Sequence, residues 1–368
     1  RMWTEVTGNF GLRRFFGHRN NNPGWLEEDY EYGARVVQGL KPCDANTLRF
    51  GTTFNRWRTP TGKRFYAGNP GDISTWTAFV VDEHRFDRLT VNTGYRMTWE
   101  YIKRFGGFNL EGQPGPLRRV EIEDDHADPL GTYTLGGSYA LDEEWSVHGN
   151  FAWGQIASRP GMFTAAGDRP DTETRFKYDV GLKRAWDGFG EVMGTFFYVD
   201  QQNAAVAQRA PLIVNGERVV PFASGDRESY GFELDMRSKR FDTGTQFFLN
   251  TTLMTARQEM AGRWENDQEV PNLVVGGGVS QMFGDCLEFS VFVKRVGDYE
   301  NERFTPDAVP NPLGDFTDVT TKVTYYFGDR KQHRAFFMVE NVGGQHYSTV
   351  NGWPDEGVQY SGGVTLAW

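Results

Sequence analysis

Cysteine is nearly missing from this chain. Its 368 residues include only Cys43 and Cys286, too few and too far apart for a disulfide framework or a CxxC metal site. Long apolar runs are missing too. Nothing approaches the ~18 consecutive apolar residues of a membrane helix, which excludes an α-helical membrane protein. It leaves a membrane β-barrel open, because barrel strands need only ~9–11 residues and are apolar on one face. There is no Lys/Arg-dense block, and 39 Lys+Arg against 49 Asp+Glu give a formal charge of −10. A nucleic-acid partner is therefore not expected. The first residues, Arg1-Met2-Trp3-Thr4, lack the charged and apolar regions of an export signal. HExxH, P-loop, EF-hand and GxSxG patterns are absent as well, so no catalytic residue, metal ligand or cofactor is expected.

What is present points to sheet. Glycine makes up about 12% of the chain (44 of 368 residues) against a usual ~7%, beside 15% aromatic and only 38% hydrophobic residues. Period-2 alternation recurs along the chain. Tyr230, Phe232, Leu234 and Met236 oppose Gly231, Glu233, Asp235 and Arg237. Trp145, Val147, Phe151 and Trp153 oppose Ser146, His148 and Asn150, and Val319, Val323, Tyr325 and Phe327 oppose Thr320, Lys322, Thr324 and Tyr326. About sixteen strands are expected, near 7–19, 31–40, 47–58, 74–85, 88–103, 130–141, 144–157, 175–186, 190–203, 227–241, 243–259, 273–283, 286–299, 317–328, 333–347 and 358–368. Many run to about ten residues, the length of a tilted membrane strand.

The connections alternate in length. Tight ones, such as Phe86-Asp87, Asp142-Glu143 and Gly284-Asp285, take turns with long polar ones at 20–30, 59–73, 104–129, 158–174, 204–226, 260–272, 300–316 and 348–357. This is the sidedness of an outer-membrane barrel, with short periplasmic turns and long external loops. The membrane also sets the register: a one-residue slip would turn Lys177, Asp179 and Lys183 toward lipid, where a Lys costs ~2–4 kcal/mol at the midplane. Closure follows from the need to pair every backbone group in hydrocarbon. Cys43 and Cys286 both fall at periplasmic turns and are predicted to lie beyond the ~7 Å Cα separation of a disulfide.

The last strand carries Val358, Tyr360, Gly362, Val364, Leu366 and Trp368 on one face, and its terminal aromatic resembles the assembly signal of bacterial outer-membrane proteins. The run Phe336-Phe337-Met338-Val339-Glu340-Asn341-Val342, followed by Tyr347, resembles the C-terminal pattern of TonB-dependent outer-membrane receptors. Leu89-Thr90 before Gly94-Tyr95-Arg96, Tyr178 before Gly181-Leu182-Lys183, and Tyr230-Gly231-Phe232-Glu233-Leu234 are similar to the same family. Two departures stand out: Gly344 replaces a frequent Asp, and Pro354-Asp355-Glu356-Gly357 replaces a common Pro-Gly-Arg. The resemblance implies an all-β, transmembrane antiparallel barrel of 22 strands, filled by an N-terminal plug. Residues 1–368 then read as an outer-membrane barrel domain showing about sixteen of those strands, without plug or first strands. It implies import of a scarce bulky solute, foremost a ferric siderophore, across the outer membrane of a Gram-negative bacterium. The partners implied are outer-membrane lipid, the TonB energy-transducing protein acting through the missing N-terminal part, and the solute.

On the external side the chain offers arginines, which can pair with anionic chelates, and aromatics, which stack on flat ligands. The ligand-binding candidates are Arg56, Trp57, Arg58, Tyr66, Arg159, Trp264, Tyr299 and Trp353. Inward charges such as Arg96, Glu100, Lys177, Asp179, Glu233, Asp235, Arg237, Glu288 and Lys294 are expected to meet the plug or water. The carboxylates of 121–128 read as a solvated acidic loop rather than a Ca²⁺ site, and His148 as a polar lumen residue rather than a catalytic base. The competing architecture is a complete sixteen-stranded diffusion porin. A soluble sheet-rich binding protein is a third reading, and it requires the Trp145/Val147/Phe151/Trp153 face to be buried in a core.

Overall fold

A computed structural model describes residues 1–17, 25–60, 70–105, 122–158, 164, 169–207, 212–214, 217–219, 221–260, 262–267, 269–299, 313–350, 353–355 and 357–367. The strands are β1 (Met2–Gly17), β2 (Trp25–Cys43), β3 (Asn46–Thr59), β4 (Gly71–Phe86), β5 (Leu89–Phe105), β6 (Ile122–His126), β7 (Leu130–Ala140) and β8 (Trp145–Ile156). They continue as β9 (Glu173–Trp186), β10 (Gly190–Ala207), β11 (Leu212–Val214), β12 (Glu217–Val219), β13 (Phe222–Ser238), β14 (Thr245–Met260) and β15 (Arg263–Asn266). The last are β16 (Leu273–Phe283), β17 (Leu287–Val296), β18 (Phe316–Phe327), β19 (His333–Glu340), β20 (Ser348–Val350), β21 (Trp353–Pro354) and β22 (Gln359–Thr365). Eighteen of them share one sheet, while β11–β12 and β20–β21 make small ribbons of their own. The chain is all-β and antiparallel, a sheet of barrel type. All sixteen expected strands are present, and the six extra ones are short and sit in the long connections.

The chain divides into two compact units. One comprises Arg1–Ser138, Asn150–Tyr178 and Asp200–Arg227, the other Tyr139–Gly149, Asp179–Val199 and Glu228–Trp368. In the first, β1 to β5 each pair antiparallel with the next strand, and β6 lies along the outer end of β5. In the second, β14 pairs with β16, β16 to β19 form a meander, and β22 pairs with β19.

Register turns alternation into two chemically distinct faces. In the first unit Phe54, Trp76 and Trp99 stand side by side across β3, β4 and β5. Their face continues through Phe50, Val80 and Tyr95 and through Val6 and Phe10 of β1, with Trp76 53% and Phe10 71% exposed. In the second unit Phe289, Val323, Phe337 and Gly362 form one outward row. The neighbouring inward row is Ser280, Ser290, Lys322, Met338 and Ser361. Each large apolar side chain left in water would forgo ~1.5–3 kcal/mol of burial. A continuous band of them is a surface made for lipid. Trp145, Val147, Phe151 and Trp153 are only half-buried, so that face is not the core a soluble reading requires.

Tight turns hold the strands on one side. Asp87 adopts φ 47° in the two-residue turn between β4 and β5, and the Asp142 carboxylate accepts from the amides of Glu144 and Trp145 at 2.8 and 2.7 Å. Gly190 has φ 140°, and a Cβ there would lie 2.2 Å from the Arg237 carbonyl oxygen, so only glycine lets β10 and β13 approach. Cys43 and Cys286 are both free thiols. Strand β19 ends at Glu340, short of the expected 347, because Asn341 turns to φ 51° and its side chain bonds the loop that follows.

Candidate functional site

On the inward face of the first unit three arginines stand outside the ion pairs of that face. Arg35 of β2, Arg49 of β3 and Arg96 of β5 all have the parity opposite to the lipid-facing aromatics. Phe79 of β4 stands opposite both Gly51 and Arg96. The Arg35 guanidinium lies 5.8 Å from the centre of its ring. Gly51 makes this possible: a Cβ there would meet the Phe79 ring at 3.0 Å and the Val36 carbonyl oxygen at 2.2 Å. Arg96 reaches the Thr132 hydroxyl at 3.4 Å. Among the described residues none of these three arginines has a carboxylate within ion-pair reach. The result is an exposed, positively charged patch with an aromatic floor.

At the outer end of the same unit, Trp57 shares the inward parity. Its ring lies over Gly71, where a Cβ would come within 2.7 Å, and 6.5 Å from that of Phe105. Ile102, Thr59 and Phe105 are buried around it. Arg56 and Arg58 alternate with Trp57 and therefore take the face of Phe54 and Trp76. Arg56 donates two hydrogen bonds of 2.6 Å to the Asp72 carboxylate, and Arg58 reaches the same carboxylate at 3.5 Å. Sequence spacing placed these three residues together on the rim. The structure divides them between its two faces.

The described part of the acidic stretch near 121–128 is largely strand β6, and its Glu123, Asp124 and Asp125 are engaged. Asp124 accepts from the Tyr101 hydroxyl at 2.5 Å, His126 stacks on that ring at 4.5 Å, and Glu123 lies 3.6 Å from Arg104. Arg169 ties this edge to the next connection: it donates to Asp125 at 2.9 Å and to the Ser158 carbonyl at 2.8 Å, and reaches Glu100 at 3.4 Å.

In the second unit, Trp264 is exposed on β15, with the Arg257 guanidinium 5.6 Å from its ring centre, and Arg257 in turn pairs with Glu228 at 3.0 Å. Tyr299 packs on the cluster of Val296, Phe316 and Tyr347 and donates its hydroxyl to the Thr349 carbonyl at 2.9 Å. Burial raises its phenol pKa. Tyr66 and Arg159 lie outside the described residues. Trp353 belongs to β21, its backbone paired with Val350. A cavity of about 640 Å³ opens on the inward face of this unit, where Lys183, Glu191, Asp235 and Arg237 meet Phe248 and Met193. Lys183 and Glu191 pair at 2.6 Å.

Tyr347 closes the last external loop. It stacks on Phe316 with ring centres 3.8 Å apart and donates to Asp318. Burial, then the charges of Asp318 and Asp355, push its phenol up to about 12. Because the folded value exceeds the usual ~10, the neutral phenol stabilises the loop fully below pH 10, and that contribution is lost as pH rises toward 12. The difference in ultraviolet titration between the native protein and Tyr347→Phe isolates this group. Its midpoint is expected near 12, and a midpoint at 10 would contradict the packing.

Sequence reasoning singled out Arg96 but not Arg35, Arg49 or Phe79. Their inward parity is readable from alternation, but their meeting depends on cross-strand register.

A family model described as "TonB dependent receptor-like, beta-barrel" matches residues 3–342. No curated protein matches the sequence significantly. Among solved structures, the ferric yersiniabactin uptake receptor FyuA from Yersinia pestis is 13% identical with a TM-score of 0.69, covering 98% of this chain and 57% of that one. The copper transporter OprC is 12% identical with a TM-score of 0.73, covering 98% of this chain and 61% of its own. The ferric-catecholate import receptor Fiu from E. coli K12 is 13% identical with a TM-score of 0.64, covering 91% and 54% respectively. The chain thus spans little more than half the length of the structures it resembles, and at such identities the likeness speaks for the fold alone.

Proposed function

This chain belongs to the TonB-dependent receptor-like β-barrel family of the Gram-negative outer membrane, and from that premise we propose that it is the barrel wall of an energy-coupled importer for a bulky anionic metal chelate. The whole receptor in this reading also holds a plug domain that contacts TonB, with the inward charges of the wall facing it. The observation that carries the anionic solute is the patch of Arg35, Arg49 and Arg96 around Phe79. Three guanidinium groups without a paired acid create a field that concentrates anions, and they can chelate carboxylate or catecholate oxygens bidentately. A ferric siderophore fits this chemistry best, since such chelates combine negative charge with flat or apolar groups. The names of FyuA and Fiu point the same way for those proteins. Trp57 in the first unit and Trp264 in the second are each a proposed stacking surface, and Tyr299 packs the last loop of the second. Tyr66, Arg159 and Trp353 are proposed as further contacts, whereas Arg56 and Arg58 stand on the lipid-facing side and pair with Asp72.

The test is uptake of radio-iron from a panel of ferric siderophores, in iron-starved cells stripped of their own receptors and expressing the complete gene. Uptake is expected for one chelate class, to vanish without TonB, and to fall about tenfold when Arg35 and Arg96 are both changed to Gln. Uptake that is indifferent to TonB and proportional to solute concentration would instead establish the diffusion porin.

A further inference from the structure

We infer that the inward cavity of the second unit binds a small zwitterionic aminocarboxylate, with Arg237 taking the carboxylate, Asp235 the ammonium and Phe248 the apolar body. The site does not depend on the arginine patch of the first unit or on the solute proposed for it.

The wall is hollowed here by glycine. On β16 the inward positions Gly276, Gly278 and Ser280 stand directly opposite Asn250, Phe248 and Gln246 of β14. A Cβ on Gly278 would come within 2.7 Å of the Phe248 ring and 2.8 Å of the Phe292 ring. Both rings, 5.9 Å apart, therefore lean over bare backbone. At Gly276 a Cβ would meet nothing within 4 Å, which leaves an open recess between the rings and Asn250. The cavity of about 640 Å³ that Phe248 and Asn250 help to line falls within the ~300–1,000 Å³ of ordinary small-molecule sites.

Four charged side chains line it, Lys183, Glu191, Asp235 and Arg237, and their charges cancel. Three of them are already held. Lys183 pairs with Glu191 at 2.6 Å, and Asn250 donates to one Asp235 oxygen. Gln246 and Ser280 are tied as well, to the Ser238 carbonyl at 3.1 Å and the Ser290 hydroxyl at 3.2 Å. Arg237 differs: it is exposed, and it has no hydrogen-bond or ion-pair partner among the described residues. It stands two positions from Asp235 on one strand, hence on the same face, with Glu191 within reach of its charge.

That asymmetry selects the ligand. A free guanidinium takes a carboxylate bidentately. A plain monoanion seated there would lie against Asp235 and Glu191, and like charges so placed cost affinity. An ammonium on the same ligand removes the cost, because the Asp235 oxygen that Asn250 leaves open can accept from it. A zwitterion also keeps the cavity neutral, and Phe248 and Met193 offer apolar surface to the rest of the molecule. Lys183, Asp235 and Gln246 lie close to the tight turns that follow β9 and β13, the periplasmic side, so the ligand is one met at the inner mouth of the wall.

The test uses the complete gene product in neutral detergent, so that any domain seated against this wall is in place. Four probes are titrated by calorimetry: phenylalanine, its amide, its N-acetyl derivative and glycine. Phenylalanine is expected to bind about tenfold tighter than the amide, which lacks the carboxylate, and than the N-acetyl form, which lacks the ammonium, the scale of one charge-assisted hydrogen bond. Glycine, without the apolar body, should bind more weakly than phenylalanine. Arg237→Gln should abolish the preference over the amide, and Asp235→Asn the preference over the N-acetyl form. Lys41→Gln, in the first unit, should leave all four unchanged. Equal binding of phenylalanine and its two derivatives by the native protein, or no binding at all, overturns the proposal even if a variant fails to fold. So does a preference for the N-acetyl form, which marks a site for plain anions.

Discussion

Replacing Asn341 by Ala lowers stability by about 3 kcal/mol, the sum of three lost side-chain hydrogen bonds at ~1 kcal/mol each before any backbone cost. Asn341 is 2% exposed. Its amide donates to the Gln345 carbonyl at 2.9 Å and to Asp355 at 3.3 Å, and its side-chain oxygen accepts from the Gln345 amide at 2.9 Å. Its backbone holds φ 51°, a left-handed conformation that Asn tolerates and Ala does so at ~1 kcal/mol or more. Asn341→Gly recovers only the backbone part. Urea unfolding in detergent, followed by the loss of the compact gel band, measures the difference. An Ala variant within 0.5 kcal/mol of the native protein would show that the clasp around Tyr347 is not a stabilising unit.

Changing Phe232 to Lys disrupts insertion, whereas changing its neighbour Glu233 to Lys does not. Phe232 is exposed on the lipid face of β13 and Glu233 points the other way. A lysine on the lipid side near the midplane costs ~2–4 kcal/mol, while lumen positions tolerate charge. The Phe232→Lys barrel is expected to unfold at a clearly lower urea concentration in lipid vesicles, with Glu233→Lys within ~1 kcal/mol of the native protein. Equal effects at the two positions would mean that the parity drawn for this strand is wrong.

The strands were legible because a membrane wall forces each one to declare its faces. The alternation of Tyr230 to Arg237 can be read only one way when charge is excluded from hydrocarbon, and tight turns such as that at Asp87 bound the runs. Strands β6, β15, β20 and β21 were not legible. With two to five residues each, they are set by their neighbours: β6 and β15 by the longer β5 and β14, and β20 and β21 by each other. The candidate site was readable in part. Arginine and tryptophan at 56–58 do mark the outer end of β3, but alternation separates Trp57 from Arg56 and Arg58. The partners of the two arginines, Asp72 and its register shift at Ile73, lie on the next strand. Likewise the Arg35–Phe79–Arg96 patch joins three strands and needs Gly51 to lie flat. That Asn341 and Tyr347 belong to one pattern was visible only as a family likeness. Its physical basis is Asp318, which accepts from the Asn341 backbone amide at 3.1 Å and from the Tyr347 hydroxyl at 3.4 Å.

In both units the long strands found paired are successive ones, as in β1 through β5 and β16 through β19. Each hairpin is thus a self-contained increment: two strands, one tight turn, and a share of both faces. Adding or deleting one increment keeps every remaining strand in its direction and every side chain on its side. A wall of this kind can therefore gain or lose two strands without redesign of the rest.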